Sequence, residues 1–278
     1  MVLLLIPILY WGCGDPKVDL TEVAYEPKVV IEAYLYAGEP VKDIRIMRNF
    51  PLNQSVDSLS LFVRGASVRI NGAVLDFDTV SRTYFSNTLV IQKGVSYSLE
   101  VEASIAGNML SATSTTVVPA DGFTLITKNF GDVLYDTEIP VTFVPSSSNN
   151  FYAFSIKPAV ATLDYFIYDN HYMPNIKSDE MLKEFNRFKF NMSWLQDATT
   201  DKTIKVTQLI KGFDTWFYGA YTTIMYVGDI NFKDYILTGK NVQETDGNFH
   251  EPKTHILGDG IGVFASAIRD TVRFTIVK

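Results

Sequence analysis

Several stretches of the chain carry residue types whose spacing could do chemistry. His250-Glu251-Pro252-Lys253-Thr254-His255 holds two of the three histidines. A zinc helix needs His-Glu-x-x-His, which puts both imidazoles on one face at i and i+4. Here the spacing is i, i+5, and Pro252 between them breaks a helix. A loop site would have to draw oxygen from Glu251 or Asp246. Structural or solvated histidines are the simpler reading, so no metal ligand is assigned. Gly258-Asp259-Gly260-Ile261-Gly262 lacks the Lys-Ser/Thr of a phosphate loop and leads into a strand pattern. Its glycines are read as a turn or bulge where the last strand enters its sheet. Asp76 and Asp78 alternate onto one strand face and are read as solvated carboxylates rather than a calcium pair. No Gly-x-Ser-x-Gly elbow occurs, and a Ser/His/Asp triad would have to be assembled from loops. Neither a catalytic residue nor a cofactor is expected.

Asp164–Pro174 is more informative. Tyr165, Phe166, Tyr168, His171 and Tyr172 crowd beside Asp164, Asp169 and Asn170. Rings with neighbouring amides and carboxylates can stack on sugar faces or line a protein interface. The same crowd could instead be a sandwich strand packing its aromatics inward. Tyr165, Tyr168, His171 and Tyr172 are the candidate ligand- or partner-binding residues.

The one cysteine, Cys13, stands behind Gly12 and an apolar run over residues 2–11. That run is too short for a membrane-spanning helix, which needs about 20 residues. It fits the apolar region of a secretory signal. A small residue directly before a lone cysteine is similar to a bacterial lipobox, with cleavage after Gly12 and acylation of the Cys13 sulfur. The position three before the cysteine holds Tyr10 where the usual box prefers Leu. Two or three acyl chains on one residue anchor a protein stably, whereas one is marginal. Acylation also removes the only thiol, leaving neither a disulfide nor thiol catalysis.

Composition narrows the rest. The net charge is −7, which argues against a nucleic-acid partner. Hydrophobic residues make up 47% of the chain, a globular rather than disordered balance. Nineteen Phe and fifteen Tyr, with frequent Val, Ile and Thr, favour strands.

The elements follow from periodicity. Residues 1–12 are expected to be a lipoprotein signal peptide and 13–27 a tether. From residue 28, "KVVIEAYLY" alternates, with Val29, Ile31, Ala33 and Leu35 on the more apolar face. "DIRIM", "ASVRIN", "NGAVLDF", "GVSYSLEVEA" and "MLSATSTTVVP" continue the pattern, and Asn71-Gly72 signals a hairpin. About seven short strands predict an immunoglobulin-like β-sandwich over 28–118. "PADGF" at 119–123 reads as a linker, followed by a β-rich C-terminal domain over 119–278. There, "EIPVTFVP", "NNFYAFSIKP", "RFKFNMSW" and "KTIKVTQLI" are strand-like, the last two joined as a hairpin by "LQDATTDK". Two short helices are predicted. One starts at Ser178, with Asp179 and Glu180 in its first turn. The other covers 214–227, with Asp214 as cap, a stripe of Trp216, Phe217, Tyr221, Ile224 and Met225, and Gly228 as terminator. Tyr218 and Tyr226 fall off that stripe.

The order of these motifs resembles the Bacteroidetes lipoproteins with domain of unknown function 4249. "KVVIEAYL" is similar to that family's first strand, "VRGASVRIN" to its next motif, "GVSYSLEVEA" to its Gly-x-x-Tyr-x-Leu strand and "VVPA" to its closing Val-Pro. "DGNFHEPKTHILGDGIGVFASAIRDTVRFTIVK" resembles the family's end, with Gly258-Asp259-Gly260 where Gly-Gly is usual. The resemblance covers nearly all of residues 13–278. It implies an envelope lipoprotein at the outer membrane, a non-enzymatic binding or accessory protein of a TonB-dependent transport system, and no defined catalytic residues. The alternatives are a stand-alone carbohydrate- or peptide-binding surface module and a metal-dependent hydrolase using His250 and His255. The ligand and the membrane face are left open.

Overall fold

A computed structural model describes residues 25–51, 55–171, 177–187, 189–197, 201–239 and 252–278. The signal segment, Cys13, Tyr172, Asp246, His250 and Glu251 lie outside the described residues.

The fold is mainly β, as expected. In chain order the first strands are β1 (Val29–Tyr36), β2 (Pro40–Arg48), β3 (Ser67–Ile70), β4 (Ala73–Val74), β5 (Asp76–Asp78), β6 (Thr83–Val90), β7 (Ser96–Ile105) and β8 (Asn108–Val117). There follow β9 (Thr124–Leu125), β10 (Asn129–Leu134), β11 (Ile139–Val144), β12 (Phe151–Pro158), α1 (Ser178–Arg187), β13 (Met192–Leu195) and β14 (Val206–Ile210). The last are β15 (Gly219–Gly228), α2 (Ile230–Gly239), β16 (Ile256–Gly258) and β17 (Gly260–Val277). Asn71 and Gly72 both take positive φ, which forms the two-residue hairpin between β3 and β4.

A large sheet runs β13-β12-β15-β17-β1-β2-β6-β5, with β10 also on β17. Its spine is β17. Gly260–Ala267 runs parallel to β1, and Ala267–Ile276 antiparallel to β15. One face carries two smaller sheets, β16-β8-β7-β3-β4 and β14-β11-β9. Under the first lies a core with Ile31, Leu35, Tyr84, Leu99 and Phe264. This is the immunoglobulin-like sandwich. Under the second lies Phe143, Tyr152, Phe154, Tyr221 and Phe274. The opposite face, with Tyr34, Tyr226, Val263 and Ala265, is covered by Phe232 and Ile236 of α2 and by Phe190. Alternation explains the layering: Val29, Ile31, Ala33 and Leu35 enter the sandwich core, while Tyr34 and Tyr36 face α2.

The Gly-Asp-Gly stretch is where the chain changes sheets. β16 pairs with β8, and two residues later β17 pairs with β1. The Asp259 amide donates to Ser111 O at 2.7 Å, and Asp259 Oδ2 accepts from the Ser111 amide at 3.0 Å. Gly262 has φ +110°, and a Cβ there would sit 2.1 Å from Ile31 O. Only glycine lets β17 lie this close to β1.

Two expectations are corrected. Residues 214–227 are not a helix. Gly212–Asp214 is a 3-10 turn, and Gly219–Gly228 is the strand β15. From Ile224 to Gly228 both of its faces are covered, one under the three-stranded sheet and one beside α2, so its apolar run imitates a helical stripe. Gly228 ends no helix. It makes room for Phe232, whose ring a Cβ would meet at 2.2 Å. The second correction concerns β13 and β14. They form no hairpin, because β13 pairs with β12 in the large sheet and β14 with β11 in the three-stranded one.

Candidate functional site

The loop that leaves β12 at Pro158 is held by backbone bonds to the segment entering β15. The Ile167 amide donates to Trp216 O at 3.0 Å, and the Tyr218 amide to Tyr165 O at 2.7 Å. Phe166 and Phe217 form an isolated bridge. Phe166 is buried at this short ladder, Ile167 enters the core under the three-stranded sheet, and Tyr165 is left exposed. Phe166 stacks on Trp216 at 6.1 Å between centroids and meets Phe217 edge-on at 5.7 Å. Ala161 and Leu182 of α1 pack against this buried trio. The Trp216 indole N–H donates to Phe213 O at 2.8 Å. Asn170 is buried and donates to Gly212 O at 3.2 Å. The side chain of Asp214, a residue expected to cap a helix, instead accepts from the Lys211 amide at 2.9 Å. Burial raises its carboxyl above the ordinary range.

On this base Tyr165 is 45% and Tyr168 67% exposed, the Tyr168 hydroxyl donates to the carbonyl of Leu163, itself 44% exposed, and Phe213, whose carbonyl holds the Trp216 indole, is 46% exposed. Tyr168 meets Phe166 edge-on at 5.0 Å, so its ring is braced while its face stays open. His171 lies at the far side of the loop, edge-on to Tyr135 at 6.2 Å. Tyr135 in turn meets Tyr218 at 6.4 Å, and the Lys278 ammonium stands 5.6 Å over the Tyr218 ring. Burial, then Tyr135 and Asp169, push the Tyr218 hydroxyl up. The structure therefore brings Tyr165 and Tyr168 together on one patch and sets His171 in an adjoining ladder of rings. Leu163, Phe213, Tyr135 and Tyr218 join the patch and ladder without having been singled out as site residues. Phe213 and Tyr218 were concealed by the helical reading of their segment. Tyr135 sits in a polar turn that carries no local signal.

The remaining motifs take structural places. His255 Nε2 lies 2.8 Å from Asp234 Oδ2, and Lys253 Nζ 2.6 Å from the same oxygen. Lys253 and His255 together pull the Asp234 carboxyl below its ordinary value, against the opposing effect of burial. Among the described residues no three His, Cys, Asp or Glu side chains gather as metal ligands. Asp78 accepts from the Val80 and Ser81 amides at 2.9 and 3.3 Å, a turn clasp.

No curated protein matches the chain. Among solved structures, the central fibronectin-III array of RIM-binding protein is similar at 10% identity over 72% of this chain and 61% of that one, with a TM-score of 0.18. A SusE-like surface located polysaccharide binding protein from the Bacteroides thetaiotaomicron heparin utilisation locus is similar at 10% identity over 90% of this chain and 33% of that one, with a TM-score of 0.22. The chain thus spans less than two thirds of the length of either. The family model described as domain of unknown function (DUF4249) matches residues 15–271, and the chain belongs to that family.

Proposed function

We propose that the protein is a non-enzymatic, lipid-anchored binding protein of the bacterial outer membrane, which docks an outer-membrane transporter through the patch of Tyr165 and Tyr168. The observation that carries this reading is the patch itself: exposed rings and apolar side chains on a buried aromatic trio. Such pre-ordered aromatics form the energetic centres of protein interfaces, and exposed apolar patches on otherwise polar surfaces mark interaction sites.

The chain enters the fold at Val29, beside Gly260 at the start of β17. The patch stands at the other end of β17, where Ile276 pairs with Gly219. At about 3.3 Å per residue, the 18 residues of β17 measure out roughly 55 Å of strand. No helix among the described residues is long and apolar enough to cross a membrane, so in this reading attachment rests on Cys13. Asp164 and Asp169 beside the rings favour a second reading, a stand-alone sugar-stacking module. Leu163 and Phe213 favour the protein interface.

A photo-crosslinker in place of Tyr168, in cells, tests the reading. It is expected to capture a β-barrel transporter, while one in place of Val80, on the β5–β6 turn, does not. Equal capture from both positions, or no barrel from Tyr168, refutes it.

A further inference from the structure

A second concave surface lies on the outer face of the five-stranded sheet, away from the aromatic patch. Strand pairing sets its side chains in rows. Arg69, Glu100, Thr113 and Leu257 stand opposite one another across β3, β7, β8 and β16. Beside them run Ser67, Glu102 and Ser111, and on the other side Ser98 faces Thr115. Two adjoining hollows share Glu100 and Thr113, and the larger, of about 460 Å³, is walled by Thr254 and His255. That volume falls within the roughly 300–1,000 Å³ of small-ligand sites. The wall is held in place, because His255 is tied through Nε2 to Asp234 and the Ser114 hydroxyl donates to His255 O at 2.8 Å.

The lining restricts what fits. Hydroxyls of Ser111, Thr113 and Thr115 both donate and accept, that of Ser98, which donates to Asn71 Oδ1 at 3.1 Å, accepts, Arg69 donates, and Glu100 and Glu102 accept. Two carboxylates against one guanidinium repel sulfate, phosphate and uronate groups. Leu257, 69% exposed, is the one exposed large apolar side chain of the lining, since Leu99 and Val101 turn into the core, and no Phe, Tyr or Trp is among the lining residues. The Trp and Tyr anchors of a protein interface are therefore missing. A ligand that alternates donors and acceptors, carries no charge and lies extended across strands satisfies every group. We propose that this groove binds a neutral oligosaccharide, laid across β3, β7, β8 and β16. The groove is separate from the transporter-docking patch and does not depend on it.

The test is an array of immobilised neutral, uronic-acid and sulfated oligosaccharides probed with the full-length protein. Wild type is expected to bind neutral glycans and to keep binding in high salt. Glu100→Ala and Thr113→Val, both on an exposed sheet face, are expected to keep the fold by circular dichroism and melting temperature. Each is expected to weaken binding by about tenfold, through one lost hydrogen bond. Tyr165→Ala/Tyr168→Ala is expected to bind as wild type. Absence of neutral-glycan binding, preference for acidic glycans, or indifference to both groove variants overturns the proposal. Loss only in the tyrosine double variant moves sugar binding to the aromatic patch and equally overturns it.

Discussion

Asp229 ties three elements together. Its Oδ1 accepts from the Phe232 amide at 2.9 Å, which caps α2, and from the Ser266 amide of β17 at 3.2 Å. Its Oδ2 accepts from the Thr116 hydroxyl of β8 at 2.5 Å. Burial is the largest influence on its carboxyl and raises it, against these hydrogen bonds. Asp229→Ala removes a cap and leaves buried donors unpaired, so unfolding in urea is expected to show a loss of about 2–4 kcal/mol. Asp229→Asn keeps acceptor and shape and is expected to cost less. Asp121 has the opposite sign. Lys202 and Ser147 hydrogen bonds hold it down to about 2. A depressed carboxyl gives stability that is present above its unfolded value near 4 and is lost as pH falls towards about 2. The shift bounds this at about 2.5 kcal/mol, which solvent screening of a part-exposed side chain reduces to about 1. Asp121→Asn is therefore expected to flatten the acid limb of the stability curve between about pH 4 and pH 2. Asp229 contributes in reverse: its penalty stands above its raised value and is relieved as pH falls towards the unfolded one. Trp216, buried in the trio, is expected to cost about 3–5 kcal/mol on replacement by Ala. Tyr218→Ala, on a part-exposed ring, should leave the melting temperature little changed.

At the scale of elements, β17 depends on a glycine. Gly262→Ala forces a Cβ against the β1 carbonyl and is expected to cost about 3 kcal/mol or more. Gly65→Ala, with open space around it, is expected to stay within about 0.5 kcal/mol of wild type. Which elements were legible in the sequence follows from their surroundings. β3, β7 and β8 have one face in a core, and period-two alternation shows them directly; β1 is buried on both faces in its second half but still alternates aliphatic residues with Glu32 and two tyrosines. β15 is buried on both faces over its second half and gives the apolar run Ile224–Val227 there, which with the aromatics upstream reads equally well as helix. The true helix, α2, starts two residues after β15 ends. Its signal was present as Asp229, an N-cap residue ahead of Phe232 and Ile236 at i, i+4 spacing, but the longer aromatic run upstream masked it. β13 and β14 were recognised as strands, yet their partners depend on contacts distant in sequence, which no local pattern encodes. The site divides in the same way. Tyr165, Tyr168 and His171 stood out because they lie within one short segment. Tyr135, Phe213 and Tyr218 come from other segments, and only the Phe166–Phe217 bridge and the ring contacts bring them near.

At the scale of the molecule, one sheet carries strands from both sides of residues 119–123, and the Asp229 cluster joins β8, β17 and α2. A protease site inserted between Pro119 and Phe123 should therefore give two fragments that co-elute in gel filtration and separate only in denaturant. On that spine the chain enters beside Gly260, and the aromatic patch lies towards the other end, where Gly219 pairs with Ile276. Cys13→Ala is expected to release the protein from the membrane fraction. The most direct measurement of the account is quantitative mass spectrometry after purification from detergent-solubilised native membranes, comparing wild type with Tyr165→Ala/Tyr168→Ala. The double variant replaces exposed rings, so it is expected to melt as wild type within about 0.5 kcal/mol. A β-barrel transporter is expected to accompany wild type stoichiometrically and to be lost from the double variant. A transporter retained equally by both proteins, or absent from both, would contradict the account.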